Sequence, residues 1–167
     1  IAGPVNLATP KNVHRIDVTT AHEMCQASLE SAVKNRIFIG CAAVADYRVA
    51  EVAEQKIKKT NDNDELSLKL VKNPDIIASV ASLEKDRPFV VGFAAETQNV
   101  AEYAKSKLQR KNLDMICAND VSGGQVFGQD QNALQIFWKT GEKSLPLADK
   151  NKLAEVLVTE IVEHYHK

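Results

Sequence analysis

The sequence lacks the features that mark secreted, disulfide-stabilised and membrane-spanning proteins. It has three cysteines, Cys25, Cys41 and Cys117, in 167 residues. Their odd number, wide spacing and lack of a CxxC pair argue against a disulfide framework and a structural zinc site. No apolar run approaches the roughly 20 residues that a membrane-spanning helix needs, and the first residues do not resemble a signal peptide. A cytoplasmic protein is therefore expected.

The sequence also lacks an excess of charge of either sign. Its 21 basic and 22 acidic residues leave a net charge of -1 at pH 7. This balance gives no electrostatic reason to expect nucleic acid or an anionic membrane as a partner. The length is sufficient for one domain with its own hydrophobic core.

What the sequence does contain is an alternation of strand-like and helix-like segments. Short apolar runs are typical of strands that are buried on both faces of a parallel sheet. Strands are predicted at residues 13–18, 37–39, 89–93 and 113–118, and helices at residues 20–34, 73–83, 96–110 and 153–162. This order indicates an α/β fold, a Rossmann-like and mostly parallel sheet flanked by helices. The turn sequence Thr140-Gly141-Glu142 predicts an antiparallel hairpin near the C-terminal end.

Two predicted helices begin with recognisable capping sequences. Thr20 and Glu23 have the spacing of a capping box. Asn73 and Pro74 are typical of an N-cap residue followed by the first helical residue. Backbone N–H groups at this second start, from Asp75 onward, can bind a phosphate, although an ordinary capped helix explains the same pattern.

Residues 48–72 are expected to leave the sheet as a hairpin, which we call the flap. The basic segment 56–59 is followed by the polar run 60–64 and by the strict alternation of residues 66–70. In an extended segment Lys56 and Lys58 point the same way, so both can face a cleft. A mobile lysine can cover an anionic intermediate, whereas a solvated charge run is the alternative interpretation.

Small residues occur where three predicted strands end, at residues 40–43, 92–95 and 117–120. Ligands of open α/β sheets bind at the carboxyl ends of the strands. Small residues allow either the close approach of a ligand or tight packing of a helix, and three such segments together favour a cleft. No histidine is near Cys41 in the sequence, so its side chain is interpreted as packing rather than as a nucleophile.

Three charged residues are candidates for contacts with an anionic ligand. Asp46 can hold Mg²⁺ between itself and phosphate oxygens, or it can be an ordinary turn residue. Lys107 and Lys111 are four positions apart, so they share one face of a helix and can clamp a polyanion or contact a nucleotide base. Alternatively, they complement the dipole at the C-terminal end of the helix.

Five segments, in order along the chain, resemble the synthetase domain of bacterial bifunctional phosphopantothenoylcysteine decarboxylase/synthetases. They are residues 40–47 (GCAAVADY), 56–59 (KIKK), 71–76 (VKNPDI), 91–97 (VGFAAET) and 111–114 (KNLD). Gly3-Pro4-Val5 also resembles the segment just after the second strand of that family. The resemblance implies one CTP-binding synthetase domain over residues 1–167. It also leads us to expect that an N-terminal strand and a Gly-rich segment are missing.

The resemblance implies a phosphopantothenate–cysteine ligase of coenzyme A biosynthesis. CTP would activate the carboxylate of 4′-phosphopantothenate as an acyl-cytidylate with release of pyrophosphate, and the amine of cysteine would then displace CMP. Mg²⁺ or Mn²⁺ would be the metal, and no FMN is expected in this part. A homodimer is expected, joined in the full-length protein to the flavin decarboxylase domain.

The resemblance also assigns site residues by their position. Those assigned to CTP are Gly40, Cys41, Ala42, Asp46, Lys56, Pro74, Asp75, Ile76, Ile77, Phe93, Lys107 and Lys111. Among them, Asp46 would meet the triphosphate and the metal, Lys56 would be the catalytic flap lysine, and Phe93 would pack against the nucleoside. Ala42, Ala43 and Asn119 would lie near phosphopantothenate.

Two other functions stay open at this point. A nicotinamide-dependent oxidoreductase would need a Gly-rich first turn and an acidic residue about 20 positions later, and no GxGxxG occurs in this chain. A non-catalytic fragment that binds nucleotide or dimerises is the second alternative. Titration with CTP against NAD distinguishes the first, and release of pyrophosphate distinguishes the second.

Overall fold

The computed structural model describes residues 1–58, 66–121 and 130–167. Its helices and strands in chain order are α1 (Ala21–Ala32), β1 (Ile37–Gly40), β2 (Tyr47–Val49), β3 (Leu70–Lys72), α2 (Ile76–Ala81), β4 (Phe89–Glu96), α3 (Val100–Arg110), β5 (Met115–Asp120), β6 (Gln131–Trp138), β7 (Gly141–Asp149) and α4 (Lys150–Tyr165).

Five of the strands form one sheet in the order β1-β4-β5-β6-β7. β1, β4 and β5 are parallel, whereas β6 and β7 continue the sheet as an antiparallel hairpin. The predicted α/β fold with a C-terminal antiparallel hairpin is therefore confirmed, as a mixed sheet in which β1, β4 and β5 are the parallel strands.

The sheet is covered on both faces, which explains the apolar runs of its strands. Successive residues of a strand point to opposite faces. On one face Val90 and Ile116 pack in a cluster with residues of α1, α2 and α3. On the other face Val91 and Met115 pack in a second cluster with residues of α4. No helix in the described part of the chain is both long enough and apolar enough to cross a membrane.

The start of α1 is the one that the capping box predicted. The Thr20 hydroxyl accepts a hydrogen bond from the Glu23 amide at 3.1 Å, and the Glu23 carboxylate accepts one from the Thr20 amide at 2.9 Å. The amides of Thr20 and then Thr19 hold the pKa of Glu23 below its ordinary value. The predicted start of this helix is confirmed, because backbone N–H groups that have no acceptor within the helix bond side chains no more than four residues away in the chain.

The predicted start of α2 is wrong by two residues. Asp75, not Asn73, is the N-cap, and Pro74 lies outside the helix. The Asp75 carboxylate accepts a hydrogen bond from the Ala78 amide at 3.2 Å. Asn73 instead donates its side-chain amide to the carbonyl of Ala45 at 2.8 Å. Both residue types are good N-caps, and a contact 28 residues away in the chain decided between them.

A predicted strand and a predicted helix boundary are also wrong. Residues 13–18 do not form a strand, since Asp17 makes only an isolated parallel bridge with Ala2. Helix α3 does not begin at Glu96, which is the last residue of β4; it begins after Asn99, whose backbone is left-handed with φ 46°. Parallel pairing with β5 extends β4 up to Glu96, and this pairing overrides the local helical pattern.

The predicted departure of the flap from the main sheet is confirmed at its base. β2 and β3 pair in antiparallel fashion as a separate two-stranded sheet. Of the alternating segment 66–70, only Leu70 belongs to a strand. Lys59 and the polar run 60–64 lie outside the described residues.

One arginine, Arg87, joins the ends of helices α2 and α3 to the sheet. The guanidinium of Arg87 donates to the Asp114 carboxylate at 2.7 Å, to the Asn112 carbonyl at 2.7 Å and to the Ala81 carbonyl at 2.9 Å. Asp114 also accepts from the Val90 amide at 2.7 Å. The end of α2, the turn after α3 and the start of β4 are thereby held in one arrangement.

Candidate active site

The carboxyl ends of β1, β4 and β5 lie side by side and form the edge at which the predicted site residues occur. We call this the carboxyl edge. Gly40 pairs with Gly92, and Phe93 pairs with Cys117. Ala95 pairs with Asn119. The three segments of small residues, which are far apart in the sequence, are therefore neighbours in the sheet.

The two paired glycines at this edge make room for a helix side chain. A Cβ atom at Gly40 would lie 3.0 Å from Cδ1 of Ile77. A Cβ atom at Gly92 would lie 2.8 Å from Cδ1 of Leu113 and 3.0 Å from Cδ1 of Ile77. On this face the tight-packing interpretation of these glycines is therefore correct, since Ile77 and Leu113 fill the space above them.

The loop that follows β1 is anchored by Asn73. The Asn73 amide donates to the Asp46 carbonyl at 2.8 Å, and its side-chain amide donates to the Ala45 carbonyl. Arg48 in turn donates to the Asn73 side-chain oxygen at 3.2 Å. These contacts hold the backbone of Asp46 while its carboxylate remains exposed. The sequence showed no sign of this role for Asn73 or Arg48.

The side chain of Cys41 is exposed, so its interpretation as packing is wrong. Cys41 follows the last residue of β1 and lies outside the sheet. The neighbouring residues Ala42 and Ala43 are exposed as well. Cys117, by contrast, is fully buried in β5. Burial, with a smaller contribution from Cys41, raises the pKa of the Cys117 thiol to about 12. Cys117 is therefore a neutral packing residue.

Lys107 reaches the carboxyl edge from α3. Its ammonium lies 2.5 Å from Oε1 of Glu96, the last residue of β4. The Glu96 side chain is 14% exposed and that of Lys107 is 36% exposed. The ion pair is therefore enclosed on the glutamate side and accessible on the lysine side. Glu96 was not among the predicted site residues, and its only signal in the sequence was its place directly after the small residues of β4.

Lys111 forms the second ion pair of this region, with Nζ 2.9 Å from Oδ2 of Asp75. Burial raises the pKa of Asp75, but hydrogen bonds from Lys111 and the Ala78 amide, together with the charge of Arg110, outweigh it. The net result is a pKa below the ordinary value. Asp75 is thus an ionised carboxylate that both caps α2 and holds Lys111.

The direction of Lys107 follows from the direction of α3. Side chains of a helix lean toward its N-terminal end. α3 follows β4 and therefore starts at the carboxyl edge, so Lys107 leans toward this edge, whereas Lys111 is the C-cap residue just outside the helix. Each ammonium bonds a carboxylate outside the helix. The structure thus gives each lysine a carboxylate partner, and the assignment of the two lysines to a ligand stays a prediction.

Phe93 lies on the other face of the sheet. Gly92 and Ala94 face α2 and α3, so the intervening Phe93 points to the face that α4 covers. Its side chain is 36% exposed there. The predicted residues are thus divided between the two faces, and a ligand that contacts both Phe93 and Lys107 has to lie across the carboxyl edge.

Lys56 is exposed on the flap, and the structure brings it into no ion pair within the described ranges. Likewise, no group of three or more His, Cys, Asp or Glu residues that could hold a metal occurs in those ranges. A metal at Asp46 would therefore need oxygen ligands from a bound phosphate, as is usual for Mg²⁺.

A depression of about 350 Å³ lies between α3 and the turn that joins β6 and β7. Its lining residues are Lys105, Leu108, Gln109, Asn112, Trp138, Lys139, Gly141 and Glu142. None of the predicted site residues is among them, so we place the candidate site at the open carboxyl edge, where the ion-paired lysines and the exposed loop occur.

The sequence matches the family model of the DNA/pantothenate metabolism flavoprotein C-terminal domain over residues 1–165. It is 72% identical, over 167 residues, to the coenzyme A biosynthesis bifunctional protein CoaBC of Haemophilus influenzae. The alignment covers 100% of this chain and 41% of that protein. The chain thus spans about two fifths of the length of the curated relatives it matches.

Solved structures agree with this match. The crystal structure of the C-terminal domain of a CoaBC protein superimposes with a TM-score of 0.76 at 31% identity, covering 95% of this chain and 69% of that one. A mutant of Cab2 in complex with phosphopantothenate-cysteine superimposes with a TM-score of 0.68, covering 90% of this chain and 52% of that one. At 17% identity the second likeness is one of fold.

Proposed function

Because the chain belongs to the DNA/pantothenate metabolism flavoprotein C-terminal domain family, we propose that it is the synthetase part of a cytoplasmic coenzyme A biosynthesis protein. The proposed reaction is the CTP-dependent ligation of 4′-phosphopantothenate to cysteine. The observation that carries the proposal is the pair of lysines, Lys107 and Lys111, held by carboxylates at the carboxyl edge of a parallel sheet. This edge is where nucleotide ligands of such sheets bind.

The reaction has two steps that the residues can assist by position and charge. First, a carboxylate oxygen of 4′-phosphopantothenate attacks the α-phosphorus of CTP, a P–O bond breaks and pyrophosphate leaves. Then the amine nitrogen of cysteine attacks the acyl carbon, the acyl–phosphate bond breaks, CMP leaves and the amine loses a proton. Both steps develop negative charge on phosphate oxygens, which fixed cations stabilise.

In the proposed arrangement CTP lies across the carboxyl edge. The backbone of the half-buried Gly40 and of the exposed residues Cys41 and Ala42 would contact the nucleotide, and Phe93 would pack against its nucleoside from the α4 face. Lys107, whose ammonium is accessible, and Lys111 would contact CTP from the α3 face.

The start of α2 would contribute backbone rather than side-chain contacts to CTP. The carboxylate of Asp75 already binds Lys111 and the Ala78 amide, and it would repel a phosphate. The contacts proposed for the segment Pro74–Ile77 are therefore those of its peptide groups.

Asp46 and Lys56 complete the proposed machinery. Asp46 would hold Mg²⁺ or Mn²⁺ together with triphosphate oxygens; the ion would neutralise phosphate charge. The exposed Lys56 would fold over the acyl-cytidylate when the flap closes. Ala42, Ala43 and Asn119 would lie near the phosphopantothenate. This chain would act as a homodimer, linked in the full-length protein to a flavin-dependent decarboxylase.

Pyrophosphate release tests the proposal. This chain, and a form extended toward the full length of its relatives, would be incubated with CTP, Mg²⁺ and 4′-phosphopantothenate. We expect pyrophosphate to appear before cysteine is added, and CMP after it is added. A parallel titration with NAD serves as the control for a nicotinamide site. The absence of both CTP binding and pyrophosphate release from the extended form would refute the proposal.

A further inference from the structure

Glu96 is held more firmly than a surface glutamate at the end of a strand. Its backbone is in register with Asp120 of β5, and its carbonyl accepts a hydrogen bond from the Val121 amide at 2.9 Å. Its side chain is only 14% exposed. Both the backbone and the carboxylate of Glu96 therefore have a defined place at the carboxyl edge.

Lys107 has no comparable support of its own. A lysine side chain has about four rotatable carbon–carbon bonds, and it loses much freedom when it is held in one place. Its ammonium bonds Glu96 at 2.5 Å, and its side chain remains 36% exposed. An ammonium has three N–H donors, so the bond to Glu96 leaves donors that can face a ligand.

We propose that Glu96 is a positioning residue that holds the Lys107 ammonium ready for the nucleotide at the carboxyl edge. This inference rests on the proposed function, since it assigns Lys107 to CTP. Glu96 itself does not touch the reacting atoms. It fixes the lysine before the nucleotide arrives, so that less conformational freedom is lost on binding.

If Glu96 only neutralised the charge of Lys107, its removal would change the Kd of CTP in the opposite direction. A carboxylate that only neutralised Lys107 would compete with the triphosphate, and its removal would tighten the binding of CTP. A carboxylate that positions the lysine does the reverse, because its removal releases the side chain. The sign of the change in the Kd of CTP therefore separates the two roles.

Helix α3 provides a matched control pair. Lys105 bonds Glu142 at 2.7 Å, with side chains that are 53% and 59% exposed. This pair joins the same helix to β7, and its residues line the depression away from the carboxyl edge. Glu142→Gln makes the same chemical change as Glu96→Gln at a place where no nucleotide is proposed.

The experiment is a double-mutant cycle, read as the Kd of CTP by calorimetry in the extended form of the protein. We expect Glu96→Gln to weaken CTP binding about three- to tenfold, the effect of releasing one ordered side chain. In a Lys107→Met background Glu96→Gln should cause no further change, because Glu96 acts through that lysine. Glu96→Asp should restore part of the affinity, and Glu142→Gln should leave it unchanged.

Two results would overturn the inference. They are an unchanged or tighter Kd for Glu96→Gln and a further loss of affinity in the Lys107→Met background. A lower Tm for Glu96→Gln together with an unchanged Kd would show that the ion pair serves stability alone. If the unaltered protein bound no CTP, the proposed function would fail as well, so the two failures are distinguishable.

Discussion

Replacement of Gly92 by alanine tests whether the small residues at the carboxyl edge serve packing or ligand approach. The added Cβ would lie 2.8 Å from Cδ1 of Leu113 and 3.0 Å from Cδ1 of Ile77. Leu113 is only 1% exposed, so it cannot move out into solvent and has to shift within the packed core. We therefore expect Gly92→Ala to destabilise the protein even though no ligand is present.

The size of the effect follows from two opposing contributions. Overpacking of a well-filled core costs about 1–3 kcal/mol. Replacement of a glycine inside a strand by alanine raises the free energy of unfolding by roughly 0.5–1 kcal/mol, because alanine restricts the conformations of the unfolded chain. The middle of these ranges gives a loss of about 1 kcal/mol, which lowers the Tm of a domain of this size by about 2–4 °C.

The assay is urea denaturation together with thermal melting, and Ile77→Val is the matched partner. Removal of Cδ1 from Ile77 opens space above both glycines, so Gly92→Ala should cost less in that background than alone. Leu113 remains close, so the relief should be partial. At Gly40, on the edge strand β1, the nearest atom to an added Cβ would be Cδ1 of Ile77 at 3.0 Å. Gly40→Ala should therefore destabilise the protein less than Gly92→Ala, and Ile77→Val should relieve its effect more completely.

A Gly92→Ala protein of unchanged stability, with additive effects of Ile77→Val, would refute the packing explanation. If its affinity for CTP fell while its stability was retained, the glycine would instead serve ligand approach. Either outcome is visible with the same two variants, because stability and binding are measured separately.

Three further predictions concern the charged residues. Lys56→Gln should still allow the formation of acyl-cytidylate but slow its conversion by cysteine by roughly 100-fold; full activity in quenched-flow measurements would reject the role of the flap lysine. Lys107→Ala combined with Lys111→Ala should raise the Kd of CTP by at least about tenfold, and an unchanged Kd in calorimetry would return both lysines to a purely structural role. Asp75→Asn retains an N-cap but loses the charge that binds Lys111, so it should lower stability at pH 7 by at most about 1 kcal/mol. Since the folded pKa of Asp75 is depressed below its unfolded value, this deficit should be fully present above a pH of about 3.9 and should shrink as the pH falls below it; a deficit in Tm that was as large at pH 3 as at pH 7 would contradict the ion-pair explanation.

The sequence by itself determined the features that depend on neighbouring residues. The capping box of Thr20 and Glu23, the strands β1 and β4, and the hairpin around Gly141 all follow from patterns within a few positions of one another. The expected burial of β1 on both faces does not hold, because β1 is an edge strand whose residues are half-buried or exposed. The α/β fold follows from the order of these segments. The resemblance to the synthetase family likewise rests on short segments that can be compared without knowledge of their contacts.

Only the tertiary structure decided which side chains meet. Asn73 was expected to cap α2, but its side chain bonds a carbonyl 28 residues earlier, and Asp75 caps the helix instead. Glu96 was expected to begin a helix, but pairing with β5 keeps it in a strand, where it meets Lys107. Local propensities of these residues differ by little, whereas a hydrogen bond or ion pair between distant segments exists only once the chain has folded. The elements of this protein are therefore determined locally, and its candidate site is determined by the contacts between them.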